Sequence, residues 1–492
     1  MASDGPPDAP IRLSGSDTTF ILDEAVESQH TLKIAVFDEE SSRGFRFDRV
    51  SEALAAAVDV LPQMRWRVKS VPLWLNRPLW TTDPTFDVRN HLRHARLPEP
   101  GTKTQLCRKI GEAAGVRVPP GQPPWELWFL EGFEATKVVA VLKMNHAMAD
   151  GGTFARLLEM LTSTEPHGPT AAPRIPRPAT ALRRRDALRD GVRDLWGEYR
   201  RELPRRLRAI RQAHVEARKN PPLTPLPSVL AAPKLPWRGP VTAPRSFSWI
   251  SVLLDDVKEI EKAISGTAND VVFAIVAGAV RTCLAEAGML TDRPVVGETA
   301  AKNRKPGDTR LWGTAVTSRP FELPTHLADP LERLRAAHVQ NAAVKADVAA
   351  TPVQMEDWFD FAPPMLLTPM LRVTRLIAQR IPGGVIVSNV KGPEEKRYIG
   401  GMGIENFISC GHVKYAAGVN ITVWSYNKML NFGVYGCSSN LPDAEWLTRR
   451  IQSSFDELRA AAGVSQNHAG DGTDDSGPAR VKRAAVEGKQ HV

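Results

Sequence analysis

The sequence contains only four cysteines in 492 residues, Cys107, Cys283, Cys410 and Cys437, and none belongs to a C-x-x-C pair. That spacing offers neither a disulfide framework nor a zinc signature, and it suits a reducing compartment. The N-terminal stretch MASDGPPDAP has no basic region and no apolar run behind it, so no secretory signal is expected. The longest apolar run, VVFAIVAGAV (271–280), falls far short of the roughly 20 residues that span a bilayer. A G-x-S-x-G nucleophile elbow is missing, which disfavours a serine hydrolase. No G-x-G-x-x-G follows a strand and no Walker A motif is present, which argues against a nucleotide-cofactor enzyme. No short-period internal repeat is visible.

What is present is globular. Hydrophobic residues make up 42% of the chain and charged residues 24%, and the length calls for two large units with a connector. The patterns predict these boundaries: residues 1–10 disordered, 11–167 a first globular half, 168–245 a Pro/Arg-rich connector, 246–463 a second half, and 464–492 a disordered tail. In the first half, TLKIAVF (31–37) reads as a strand, VSEALAAAVDVL (50–61) as a helix, and TKVVAVLKMNH (136–146) as a strand. Phe154, Leu157, Leu158 and Leu161 then follow at helical spacing. In the second half, 267–288 reads as a buried helix closed by Gly288. GVIVSNV (384–390), VNITVWS (419–425) and MLNFGVYG (429–436) read as strands, and 441–463 as a closing helix.

The net charge of +9 sits in one place: residues 174–219 carry 15 Arg and Lys against 6 Asp and Glu. Apolar residues from Leu188 to Ile210 recur there every three or four positions, so an amphipathic helix is predicted, kinked or split at Pro204. Such a helix can rest on anionic lipid, attract the phosphates of coenzyme A, or simply pack across the two halves. It has little aromatic interleaving and no reader motif, so nucleic acid is not an expected partner.

The chemistry points to KMNHAMADGG (143–152). Strand alternation puts Val138, Ala140, Leu142, Met144 and His146 on one face, so His146 should end an apolar row. Asp150 precedes Gly151, Gly152 and a helix; it can cap that helix or pair with an arginine. A neutral imidazole there can take a proton from an alcohol. A lone histidine is more often a buried, backbone-bonded side chain, and that is the reading for His91 and His94, an i,i+3 pair with no third ligand.

H-x-x-x-D-G at a strand-to-helix turn is the signature of the coenzyme A-dependent acyltransferase fold. Around it the chain resembles the bacterial wax ester synthase/diacylglycerol acyltransferase family. LSGSDTTFIL (13–22), FDVRNHLRHARLP (86–98), PPWELWFLEGF (123–133), TANDVVFAIVAGAVR (267–281), SNVKGP (388–393) and GVNITVWSY (418–426) match family blocks in order, from about residue 11 to 462. Pro124 replaces the usual Leu of the P-L-W block, and Asn145 replaces the first histidine of H-H-x-x-x-D-G.

The resemblance implies an α/β (α+β) fold of two similar acyltransferase-like halves, each a mixed sheet with flanking helices, with a tunnel between them. It implies direct transfer of a long acyl chain from acyl-CoA to the hydroxyl of diacylglycerol, with His146 as base, Asp150 holding the turn, and possible wax ester synthase activity on a long-chain alcohol. Acyl-CoA is then a substrate, and neither a cofactor nor a metal is expected. Gly151, Asn269, Asp270, Ser388 and Asn389 are the expected supporting residues: Asn269 as a donor to the oxyanion, Asp270 as an anchor for its helix, Ser388 and Asn389 as lining. The expected location is the cytoplasm, at the inner membrane face or a lipid droplet. The alternatives are a weak or inactive member that binds lipid surfaces, and an acyltransferase with another alcohol acceptor.

Overall fold

A computed structural model of the chain describes residues 10–465, apart from 25–27, 172–174, 179–183, 220–225, 229–232, 305–306, 379–383 and 415–416. The predicted disordered ends therefore lie almost wholly outside the described residues.

The strands are β1 (Ile11–Arg12), β2 (His30–Phe37), β3 (Trp66–Lys69), β4 (Leu79–Thr82), β5 (Leu92–Arg96), β6 (Trp125–Phe133), β7 (Lys137–Asn145), β8 (Arg245–Leu253), β9 (Val295–Lys302), β10 (Val316–Leu323), β11 (Ile386–Lys391), β12 (Arg397–Ile399), β13 (Met402–Cys410), β14 (Val419–Tyr426) and β15 (Met429–Cys437). The helices are α1 (Gly15–Glu24), α2 (Glu39–Arg43), α3 (Phe47–Ala57), α4 (Lys103–Gly115), α5 (Gly151–Leu161), α6 (Arg184–Lys219), α7 (Leu254–Ala263), α8 (Ala268–Glu286), α9 (Pro330–Ala350), α10 (Met355–Trp358), α11 (Pro364–Ala378) and α12 (Ala444–Ala461).

Two six-stranded mixed sheets dominate, in the orders β12-β13-β2-β7-β6-β5 and β10-β9-β11-β14-β15-β8. In the first, only β5 and β6 run parallel; in the second, β11 runs parallel to both β9 and β14. The two halves interlock rather than follow one another. β13 pairs antiparallel with β2, so residues from the second half of the chain complete the first sheet. β2 is buried along its whole length, as a central strand covered on both faces must be.

α8 forms the middle of the second core. Thr267 and Asp270 close a capping box at its start, and Val271, Phe273, Ile275 and Val280 are fully buried around it. Its apolarity is that of a core helix. The basic helix is not split: α6 continues through Pro204. Proline removes one backbone donor, but the carbonyl it orphans belongs to Arg200, which is exposed and open to water. α6 bridges the halves by polar contacts. Its Glu198 pairs with Arg77 on one side at 2.5 Å, and its Arg206 pairs with Asp360 on the other at 3.1 Å.

Candidate active site at the β7–α5 turn

β7 ends at Asn145, not at His146. Alternation stops there, and the two residues take separate directions. Asn145 is fully buried. Its Oδ1 accepts from the Ala147 N–H at 2.9 Å, and its Nδ2 donates to Glu24 Oε2 at 3.1 Å. The side chain that departs from the family pattern is therefore a structural staple of the turn. The His146 N–H donates to the Gln29 carbonyl at 3.0 Å, and the ring swings into a small aromatic cluster. It stacks on Phe20 with centroids 4.6 Å apart, and His412 meets it edge-on at 5.0 Å.

The second half of the chain holds the ring. Thr314 Oγ1 lies 3.1 Å from His146 Nδ1 and 3.0 Å from the His146 carbonyl oxygen. A carbonyl can only accept, so the hydroxyl proton goes to it. The same oxygen then accepts from Nδ1–H, and the lone pair of the neutral imidazole is left on Nε2. Thr314 is in turn fixed by Asp17, whose Oδ1 accepts from the Thr314 N–H at 2.9 Å. Gly313, with φ of 75°, makes this approach possible. A Cβ there would stand 2.9 Å from Asp17 Oδ2.

Asp150 caps α5. Its Oδ1 accepts from the Thr153 N–H at 2.6 Å and its Oδ2 from the Ala315 N–H at 2.8 Å, and Arg304 Nη2 stands 3.7 Å away. Both expected roles, cap and arginine partner, are filled at once. Gly151 is needed for closeness rather than for φ: a Cβ would meet Val390 Cγ2 of β11 at 2.8 Å.

Electrostatics keep His146 neutral. Burial pushes its pKa down to about 4; the Asp150 carboxylate opposes this, while Lys33 and Lys414 add to it. Lys33 is buried, donates to Ser409 Oγ at 2.7 Å, and has its own pKa pushed by burial to about 8. Lys414 pairs with Glu298 at 2.9 Å.

The other expected residues divide. Ser388 donates to Thr422 Oγ1 at 3.2 Å; Thr422 bonds to Asn420 at 2.7 Å, and Asn420 holds the His412 carbonyl at 2.9 Å. Ser388 is thus linked to the His146 cluster through one chain of bonds. Asn389 points outward and is exposed. Asn269 Nδ2 donates to Asn341 Oδ1 at 2.9 Å, which ties it to the network around Asp270. Asp270 anchors its helix as expected, and further accepts from Asn341 at 2.6 Å and from His338 at 2.9 Å. Among the described residues, neither shares a hydrogen bond with His146 or its partners. His91 donates to the Trp125 carbonyl at 2.8 Å, a structural role.

Sequence reasoning missed Phe20, Lys33, Thr314 and His412. Phe20 lay inside a family block without a role. Thr314 follows a lone glycine in an unpatterned loop and is 168 residues from the histidine it orients.

The chain matches the wax ester synthase/diacylglycerol acyltransferase catalytic domain over residues 13–272, and the C-terminal domain of the same family over residues 312–459. A Mycobacterium tuberculosis protein named as a diacylglycerol O-acyltransferase is 31% identical over 468 residues, covering 91% of this chain and 90% of that one. A second from the same organism is 30% identical over 472 residues, covering 92% and 97%. The wax ester synthase/diacylglycerol acyltransferase of Marinobacter aquaeolei VT8 superposes with a TM-score of 0.62 at 22% identity, over 92% of this chain and 100% of that one. The first condensation domain of the calcium-dependent antibiotic synthetase superposes at 0.57 with 15% identity, over 92% and 97%. At such identities the two structures establish the two-halved fold alone. Sequence and fold agree: the chain belongs to the wax ester synthase/diacylglycerol acyltransferase family and is an O-acyltransferase.

Proposed function

We propose that this enzyme transfers a long acyl chain from acyl-CoA directly to the hydroxyl of diacylglycerol, forming triacylglycerol, with His146 as the general base. The single observation that carries the reading is the Thr314 contact, which places the lone pair of a neutral imidazole on Nε2, where it meets no hydrogen-bond donor among the described residues. In this reading Nε2 takes the hydroxyl proton as the alkoxide oxygen attacks the thioester carbonyl. The tetrahedral oxyanion collapses, the C–S bond breaks, and the imidazolium returns its proton to the leaving thiolate. Asp150 favours the transient imidazolium by charge, and positions it through the turn. A general base of this kind contributes roughly 10²–10⁴-fold.

The long acyl chain is the part of the proposal that rests on the family resemblance; burying such a chain contributes about 0.8 kcal/mol for each methylene. A diacylglycerol hydroxyl and a fatty alcohol present the same reacting group on an apolar body, so wax ester synthesis belongs to the same proposal. Asn145 is compatible with activity, because its amide staples the turn and does not face the ring. The acceptor is a lipid, so the proposed place of action is a membrane or lipid-droplet surface on the cytoplasmic side.

The test uses purified protein with labelled palmitoyl-CoA and, separately, diacylglycerol or hexadecanol. Ester product from wild type and none from His146→Ala is the expected result. Equal product from the two proteins would remove His146 as the base. No product from folded wild type with either acceptor would reject the acceptor assignment.

A further inference from the structure

α11 is inside out. A helix on a protein surface normally turns its apolar stripe to the core and its polar side to water. In α11 the inward positions are Pro364, Leu367, Leu371 and Arg375, with Leu367 fully buried. The outward positions Leu366, Met370, Val373 and Ile377 stand at i, i+4, i+7 and i+11, and they are 61%, 44%, 56% and 52% exposed. Met365 and Leu376 widen the stripe. Arg372 and Thr374 are exposed on its flanks.

The patch continues beyond the helix. α11 packs beside the short 3-10 turn Pro72–Trp74. Leu73 and Trp74 there take positive φ of 59° and 54°, a conformation that bulky residues adopt at a cost. The strained turn presents both side chains to solvent, Leu73 at 74% exposure. A contiguous apolar face of this kind marks a docking surface.

We propose that the outer face of α11, with Leu73 and Trp74 beside it, seats the enzyme on an anionic lipid surface, with α6 as its basic flank. This deepens the reading that the acceptor is a lipid hydroxyl, and rests on that reading for its choice of partner. Two observations select lipid. One is charge: α6 touches the same 72–74 turn, carries 12 Arg and Lys against 6 Asp and Glu, and exposes Trp196. An apolar face rimmed by arginines and tryptophan fits the boundary between acyl chains and anionic headgroups. The other is position. The inner side of α11 packs on α1, and α1 carries Phe20, which stacks on His146. The docking face is thus one helix away from the reacting imidazole.

The experiment is vesicle co-sedimentation of the full chain without acyl-CoA, so that binding is read separately from catalysis. Vesicles are phosphatidylcholine alone or phosphatidylcholine with phosphatidylserine. The variants are the double substitution Leu366→Asp/Val373→Asp, the single substitution Trp74→Ala, and Val116→Asp as an exposed apolar control on α4's far end. Circular dichroism and ester synthesis in mixed micelles check folding of each. The expected result is binding of wild type and Val116→Asp to the anionic vesicles, weakened by salt. The double variant should bind at least about tenfold more weakly, with micellar activity retained. Equal binding of the double variant and wild type would overturn the proposal. So would a wild type that ignores vesicles yet forms a dimer that the same substitutions dissociate, which would give the face to a second copy of the chain. Binding without ester synthesis would leave the docking face standing and reject the catalytic reading.

Discussion

Two helix starts in this molecule look alike and behave differently. At the start of α5, Asp150 caps the helix and ties it to the other half through Ala315. At the start of α8, Asp270 closes a capping box and ties the helix to α9 through His338 and Asn341. Each has a buried carboxylate, an asparagine nearby and a histidine nearby. At α8 the polar groups satisfy one another: Asn269 bonds to Asn341, Asn341 to Asp270, and His338 to Asp270. At α5 the bonds also close around the turn, but Thr314 occupies only one nitrogen of His146. A closed network is a structural device, and an orientated ring with one free lone pair is a chemical one. Residue types alone do not separate the two; the count of unspent donors and acceptors does.

That contrast can be broken from either side. The largest effect is expected from Asp150→Ala. It removes the cap, the tie to Ala315 and the charge beside His146, so turnover should fall by roughly two orders of magnitude, within what a positioned base supplies. Loss of the cap should also cost about 0.5–2 kcal/mol in thermal unfolding. Thr314→Val keeps the shape and removes the hydroxyl. It should lower kcat by about tenfold with little change in KM, because the imidazole loses its fixed tautomer and not its substrate contacts. Asp270→Asn should do the reverse, lowering stability by about 1–3 kcal/mol while the folded fraction keeps its specific activity. A large loss of kcat in Asp270→Asn would undo the division between the two helix starts.

The smallest effect is a pH shift. Lys33 holds the His146 pKa down, so Lys33→Met should raise it. The base is active when neutral, and its pKa in the wild type lies at about 4. The wild-type rate should therefore stay level as pH falls from neutrality to about one unit above that value, and drop below it. In Lys33→Met the acid limb should move to higher pH. A limb that stays in place or moves lower would contradict the assigned sign.

Much of this was legible in the sequence, for local reasons. The Asp150 cap, the α5 stripe and the apolar strand before them are set by neighbours within a few residues. The end of β7 was misread by one residue, because alternation carries no stop signal and the Asn145 side chain ends the strand by bonding forward to Ala147. The bond from Asn269 to Asn341 was not legible, because Asn341 is 72 residues away in a helix that reads as ordinary. The passage of β13 into the first sheet was invisible too, since a strand's pattern does not name its partner. α11 escaped notice for another reason: an exposed apolar stripe has the same spacing as a buried one, and only burial tells which side faces out.

The central claim is that His146 is a neutral base with its lone pair on Nε2. Its most direct test is the ¹⁵N chemical shifts of histidine-labelled enzyme, with the signal assigned by its loss in His146→Ala. The account predicts, near neutral pH, a protonated Nδ1 and an unprotonated Nε2, with the imidazolium forming only toward pH 4, and the tautomer preference lost in Thr314→Val. An Nε2–H tautomer, or an imidazolium already present at neutral pH, would contradict it.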